Sequence, residues 1–461
     1  MASLATKDIA LLKNKSVLLI FLLAGAAFLH WTHIPDADEG VILNGAWNLI
    51  NGRRLYIDFF EFIPPGAFYL LFWWWKVVGV SYATAKLLAL AFLSAAVVGF
   101  WRIIFLFSKR STPIMSAIFV LLTIPWIILN HNAFSTAALL WAAYFFLRGI
   151  QSRHWTVRWW IGAGIGLGTG FLFLQHRSLA FLVAAVTWWL IWGRKDFSLK
   201  IFLAFLLVSL AASALLLFFW PAKLLLNNLI ISPLFRYSGI NFYPLGPWIL
   251  VFFIWLFWGI YLRIWQKRRL SFLWSLQLFF LISVLPRADI SHLSQVIWPL
   301  LVGLGCIYRP QVPWPVRWMI KISLVGLALL FLLNWTKING QWMGIKNFKL
   351  SQEVIPAVEN NCSSPYLYAG PFAPNLYFET RKLNATSFSF LLTGMHTPAM
   401  FQQAAEELKD KKPDCALLNY AMVKKFNYQL DNPVDQYLRK HYRPIARWGH
   451  LELYKIISVP Q

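Results

Sequence analysis

Five carboxylates crowd one short stretch of this chain: Asp36, Asp38, Glu39, Asp58 and Glu61. The first 335 residues hold only eight, the other three being Asp8, Asp196 and Asp289. Grouped carboxylates are the side chains that take a proton from a hydroxyl or amine, position an acceptor, or hold a cation. The plain alternative is a set of solvated acids capping a helix on an external loop. Caps account for one or two acids but not for five in a chain so poor in them.

A second group is Arg287-Ala288-Asp289-Ile290-Ser291-His292, with the only acid between Asp196 and the C-terminal tail. Arg287 and His292 suit an anionic leaving group such as a phosphate, with Asp289 orienting one of them. As pure structure, Arg287 and Asp289 would be an interfacial salt bridge. Gln175-His176-Arg177 supplies a further cation for a phosphate, the alternative being an arginine that reaches for lipid headgroups. The glycines from Gly162 to Gly170 suit close helix packing better than nucleotide binding, since no strand precedes them. Asn130-His131-Asn132 through Ser135 reads as a short polar turn.

The elements that must position these groups are membrane helices. The chain is 59% hydrophobic and 13% charged, and its apolar runs are separated by short basic or polar links. A net charge of +24 would suggest nucleic acid in a soluble protein, but here the basic residues flank apolar runs, where they orient helices and meet anionic headgroups. Nucleic acid is therefore not an expected partner; membrane lipids are. Spans are expected near 17–34, 84–106, 113–130, 134–148, 159–174, 178–193, 201–220, 247–263, 271–286, 294–308 and 319–335. The links with Lys109 and Arg110, with Arg148, Arg153 and Arg158, with Arg194, Lys195 and Lys200, with Arg263 and Lys267, and with Arg309 and Arg317 fall on every second connection. Together with Lys7, Lys13 and Lys15 they define one cytoplasmic face.

That parity bears on Pro65 to Gly79, which is apolar enough to be counted as a span. If it crossed, every later basic link would fall outside, so it is expected to lie along the outer interface with Trp73, Trp74 and Trp75 at headgroup level. The first external loop, about 35–82, then holds two short helices. One runs from Asp38 to Asn51 and stops at Gly52; the other starts at Pro64-Pro65. From about residue 336 the composition becomes that of a small α/β domain on the same external side. Its strands are expected at Tyr366 to Ala369, Cys415 to Asn419 and Leu451 to Ile456, and a helix at Thr397 to Lys411. Cys306 is expected to be a packing residue. Cys362 and Cys415 are expected as two separate buried thiols, a disulfide being the alternative for a tail outside the cytosol.

The order of these features resembles a known superfamily. DADEGVILNGAWNLINGRRLYIDFFEFIPPGAFYLL is similar to the first external loop of GT-C-type integral-membrane glycosyltransferases, which include dolichyl-phosphate-mannose protein mannosyltransferases and bacterial lipid A aminoarabinose transferases. RADISHLSQVIWPL resembles their late loop, and PFAPNLYFETRKLNATSF the tail of many bacterial members. The resemblance implies a polytopic α-helical GT-C-like fold of about eleven spans over residues 1–335, followed by an α/β domain over 336–461. It implies transfer of a sugar from a polyprenyl-phosphate-linked donor to an acceptor on the non-cytoplasmic face, in a bacterial plasma membrane. Carried over residue by residue, it makes Asp38 the general base with Glu39 and Asp36 beside it, gives Arg177, His176, Arg287 and His292 to the lipid phosphate, and leaves Asp58, Glu61 and Asp289 in support. No organic cofactor is implied, and a divalent metal is a further candidate ligand of the acids. Many relatives carry another acid in the second external turn, where this chain has Asn132, Ser135 and Thr136. The competing reading is a transporter or flippase of a lipid-linked or anionic solute, which would carry ionisable groups inside its spans and often a repeat. This chain keeps them at span ends and shows no repeat.

Overall fold

The computed structural model describes residues 17–28, 30–31, 37–152, 157–194, 198–237, 245–261, 268–285, 287–307, 314–338 and 345–457. Asp36, and Lys7, Lys13, Lys15, Arg153, Lys195, Arg263, Lys267 and Arg309 of the basic links, lie outside the described residues. The helices are, in chain order, α1 (Val17–Phe28), α2 (Ala37–Ile50), α3 (Gly66–Val78), α4 (Tyr82–Phe107), α5 (Thr112–Thr123), α6 (His131–Gln151), α7 (Val157–Phe173), α8 (Gln175–Trp188), α9 (Leu199–Phe219), α10 (Ala222–Leu226), α11 (Gly246–Tyr261), α12 (Arg268–Ser283), α13 (Ile290–Val296), α14 (Trp298–Ile307) and α15 (Trp314–Ile338). After them come α16 (Ile345–Asn361), α17 (Asn375–Glu379), α18 (Pro398–Lys411) and α19 (Pro433–His441). Two compact units emerge, one of residues 1–33, 86–218 and 243–342, the other of 34–85, 219–242 and 343–461.

The first is a helical bundle. Among the described residues, three helices are long and apolar enough to cross a membrane: α4, α6 and α9. Four further apolar helices are shorter, α1, α5, α11 and α12 among them. Two expected spans are interrupted. The run near 113–130 stops as a helix at Thr123, and a new one starts where the Asn130 side chain accepts the Asn132 N–H at 2.9 Å. The run near 294–308 breaks between Val296 and Trp298; Pro299 has no N–H to give, and the Leu300 N–H turns to the Gln277 side chain at 3.1 Å. The glycines of α7 act in packing. A Cβ on Gly166 would stand 2.9 Å from the Ala142 backbone nitrogen in α6, and one on Gly164 would stand 2.8 Å from Val208 in α9. Only glycine lets these backbones approach so closely.

The second unit carries the five-stranded sheet, in the order β2-β1-β3-β5-β4, with β1 at Tyr366–Gly370, β2 at Leu383–Asn384, β3 at Cys415–Leu418, β4 at Tyr442–Trp448 and β5 at Leu451–Ile456. β1 pairs in parallel with β2 and β3, and β5 runs antiparallel to β3 and β4. Alternation sorts its core. Tyr368, Ala416 and Leu418 meet α18 and α19 on one face, while Leu367, Ala369, Cys415 and Leu417 meet α16 and α17 on the other. The expected strands and the expected helix at Thr397 to Lys411 are all present, the helix capped by the Thr397 side chain and opened by Pro398. The expectation for the cysteines is corrected: Cys362 and Cys415 form a disulfide, because the end of α16 lies against the start of β3 and brings their Cα atoms to 5.7 Å.

The two helices expected in the first loop also belong to this unit. α3 follows Pro64-Pro65 and ends at Gly79, whose φ of 94° few side chains tolerate. α2 is apolar around most of its circumference and is enclosed accordingly, with Val41, Ile42, Leu43, Ala46 and Leu49 all buried. Gly45 packs on Phe68 of α3, where a Cβ would come within 2.3 Å of the ring. Gly40 packs on the start of α17, where a Cβ would come within 2.3 Å of the Asn375 nitrogen. The tail therefore grips the helix that carries the acids. Its further holds are the Trp47 indole N–H to the Lys382 carbonyl at 3.1 Å, Asn44 to Ser389 at 3.0 Å, and Trp75 stacked on Phe378 at 5.0 Å.

Candidate active site

Asp38 and Glu39 occupy the first turn of α2, where unpaired backbone N–H groups favour negative charge. Glu39 is wholly buried, and the Tyr82 hydroxyl donates to its Oε2 at 2.7 Å. Asp38 next to it is partly exposed. The pair thus combines one carboxylate enclosed by the protein with one that is partly exposed.

The other acids of the loop are spread apart. Asp58 closes an exposed turn, taking the Arg54 backbone N–H at 2.7 Å and the Arg54 guanidinium at 3.0 Å. Arg54 holds its carboxyl below the usual range, against the opposing effect of partial burial. Glu61 is buried, and the Ser389 hydroxyl, which itself accepts from Asn44, donates to it. Burial pushes the Glu61 carboxyl up to about 8, the Ser389 bond opposing only in part, so at neutral pH this acid is largely protonated. Among the described residues, no group of three His, Cys, Asp or Glu side chains converges to hold a metal ion.

The cationic residues lie in the helical unit, where Asp289 is the only carboxylate among the described residues. Asp289 caps α13 by accepting the His292 backbone N–H at 3.0 Å. The same carboxylate meets Arg287 Nε at 3.0 Å and His292 Nδ1 at 2.9 Å. Burial would raise its carboxyl, but His292 and Arg287 outweigh that and hold it well below the usual range. An ionised carboxylate only accepts, so Nδ1 of His292 carries the proton and Nε2 faces away from Asp289.

Arg177 is buried at 1% exposure, its Nη1 donating to Gln295 Oε1 at 2.6 Å and approaching Thr136 Oγ1 at 3.4 Å. Its neighbour His176 is exposed. Successive helical residues point about 100° apart, and the tripeptide read as one group is split between the interior and the surface. Asn132 is buried and tied to Asn130 at 2.8 Å, and its amide lies 3.1 Å from His131 Nε2. Thr136 gives its hydroxyl hydrogen to the Asn132 carbonyl at 2.9 Å. Sequence reasoning passed over Gln295, Tyr82 and Ser389. Gln295 had a signal, since Asp289, His292 and Gln295 recur every third residue and share one face of a short helix. Tyr82 and Ser389 had none, being ordinary residue types far from their partners along the chain. Lys86, buried in the first turn of α4, was also unremarked.

No protein-family model matches the chain, and no curated protein matches it by sequence. Solved structures do. The chain is similar to ArnT from Cupriavidus metallidurans bound to undecaprenyl phosphate, at 14% identity and a TM-score of 0.65, covering 97% of this chain and 99% of that one. It is also similar to ArnT of the same organism in the apo state, at 13% identity and a TM-score of 0.60, covering all of both chains. At such identity the likeness speaks for architecture, and it extends over nearly every residue of both proteins. This chain shares the fold of ArnT over nearly its whole length.

Proposed function

We propose that the chain is a glycosyltransferase that moves a sugar from a polyprenyl-phosphate-linked donor to a hydroxyl or amine acceptor on the non-cytoplasmic face of the membrane. The observation that carries this reading is the near-complete likeness to ArnT, one of whose structures holds undecaprenyl phosphate. Two features of this chain support it. One is the set of Arg177, Arg287 and His292 in a unit with a single described carboxylate, an environment suited to a lipid phosphate. The other is the Asp38-Glu39 pair in the first turn of α2, one acid partly exposed and one buried against Tyr82. The Cys362–Cys415 disulfide supports an oxidising, non-cytoplasmic side for the tail.

In this reading the reaction is a single displacement. Asp38 removes the acceptor proton as the acceptor oxygen or nitrogen bonds to the anomeric carbon. The bond from that carbon to the phosphate oxygen breaks, and polyprenyl phosphate departs with the electron pair, its charge supported by the cations. Asp38 then returns its proton to water. Glu39, fixed by Tyr82, orients the first turn of α2. The test is sugar transfer from an undecaprenyl-phosphate-linked donor by the purified chain, with Asp38→Asn and Asp36→Asn side by side. Transfer by the wild type and its loss in Asp38→Asn is the expected result. Full turnover in Asp38→Asn with loss in Asp36→Asn moves the base by two residues. Solute flux through proteoliposomes without any transfer would replace the enzyme by a transporter.

A further inference from the structure

α13 presents Asp289, His292 and Gln295 three residues apart, with Asp289 as its cap. Each of the outer two holds an arginine: Asp289 holds Arg287 at 3.0 Å, and Gln295 holds Arg177 at 2.6 Å. The second contact differs in kind. Gln295 is neutral, so it fixes the guanidinium without cancelling its charge. Both residues are buried, at 4% and 1% exposure, and Trp126 pins the adjacent residue of α13 through the Ser294 hydroxyl at 2.9 Å.

What Gln295 leaves open is specific. Its bond and the longer approach to Thr136 both use Nη1 of Arg177. Nε and Nη2 are buried and have no hydrogen-bond partner among the described residues. These two nitrogens form the edge of the guanidinium that grips two oxygens of one carboxylate or phosphate in parallel. Among the described residues of this unit no acid is left to take it, because Asp289, their one carboxylate, is already engaged by Arg287 and His292. Leaving two charged donors buried and unsatisfied is costly, so the arrangement calls for a ligand with paired oxygens.

We infer that Gln295 is a positioning residue that turns the Nε–Nη2 edge of Arg177 into a two-pronged seat for a phosphate, the phosphodiester of the lipid-linked donor and the phosphomonoester of the departing lipid. This rests on the function proposed above and deepens it. Arg177 is the binding group; Gln295 acts through it. A glutamine suits the role because a glutamate would hold the arginine as well but neutralise the seat, and an apolar residue would keep the charge but release its orientation.

The experiment compares full-length wild type with Gln295→Met, Gln295→Glu and Arg177→Ala in detergent, by calorimetric titration with undecaprenyl phosphate, undecaprenol and inorganic phosphate. The ratio of undecaprenyl phosphate affinity to undecaprenol affinity isolates the headgroup and is insensitive to general loosening of the fold. Losing a bidentate charge-assisted contact lowers that ratio by about 10- to 100-fold, which is the change expected in Arg177→Ala and Gln295→Glu. A drop of about tenfold is expected in Gln295→Met, which keeps the volume but is a much weaker acceptor. Should Gln295→Met not fold, Gln295→Glu still decides, since its anchor survives and only the charge of the seat changes. A ratio lowered in Arg177→Ala but unchanged in both Gln295 variants overturns the inference while leaving the phosphate reading in place. Wild type that binds undecaprenyl phosphate no better than undecaprenol overturns both. Inorganic phosphate binding that follows the same order, with no preference for the lipid, would give the seat to a free phosphate and overturn the assignment to the donor.

Discussion

The two units treat their charged groups differently. In the unit formed by the first loop and the tail, partners come from the protein: Tyr82 on Glu39, Arg54 on Asp58, Ser389 on Glu61. In the helical unit Asp289 is the one described carboxylate, and two donors of Arg177 have no hydrogen-bond partner among the described residues. The first arrangement holds an acid at a set place; the second awaits charge from outside. In a transferase of lipid-linked sugars, the anchored unit would do the proton chemistry and the unsatisfied one would bind the phosphate. Substitutions in the first should then act on turnover, and in the second on affinity.

The largest effect is expected at Asp38. Asp38→Asn should lower kcat by ~10²- to 10⁴-fold, the usual contribution of a general base, with little change in donor KM. Arg287→Ala should do the reverse, raising donor KM by about 30-fold for a contact on the order of 2 kcal/mol. Steady-state kinetics on both variants would break the contrast if Arg287→Ala acted on kcat alone. Next comes Gly40→Ala, whose new Cβ meets backbone atoms of Asn375. Overpacking of this kind costs about 1–3 kcal/mol, and because it shifts the start of α2 it should lower both the thermal midpoint and kcat. Gly166→Ala meets backbone in α6 less tightly, at 2.9 Å against 2.3 Å, and should lower the midpoint by less while sparing kcat per folded molecule.

A subtler test concerns Glu61. Its folded carboxyl is raised from 4.5 to about 8, so the folded state holds a proton that the unfolded chain has released between those values. Its contribution to stability is fully present below pH 4.5 and is lost as pH rises through about 8. Thermal midpoints taken across that window should fall more steeply for the wild type than for Glu61→Gln, which keeps a neutral group of the same shape. Parallel profiles would mean that Glu61 is already ionised beside Ser389. The smallest effect belongs to Asp58→Asn. Its partner Arg54 is largely exposed, so solvent screens the pair and leaves it little weight, and turnover should change by less than about twofold.

Much of this organisation is legible in the residues alone, because it depends on short-range physics. The start of α3 at Pro64-Pro65, the stop of α2 near Gly52, and the strands at Tyr366, Cys415 and Leu451 all follow from backbone constraints and periodicity within a few residues. The crowding of acids between Asp36 and Glu61 likewise needs only counting. What the tertiary structure decided rests on contacts that no local pattern encodes. Asn44 meets Ser389 across 345 residues, and Arg177 meets Gln295 across 118. Only the folded chain buries Glu61 and so raises its carboxyl, sends His176 outward while Arg177 turns in, and closes Cys362 on Cys415. Residue type sets which chemistry a side chain is capable of. Burial and distant partners set its charge, its direction and which of its donors stay open, and these exist only once the helices and the tail have packed.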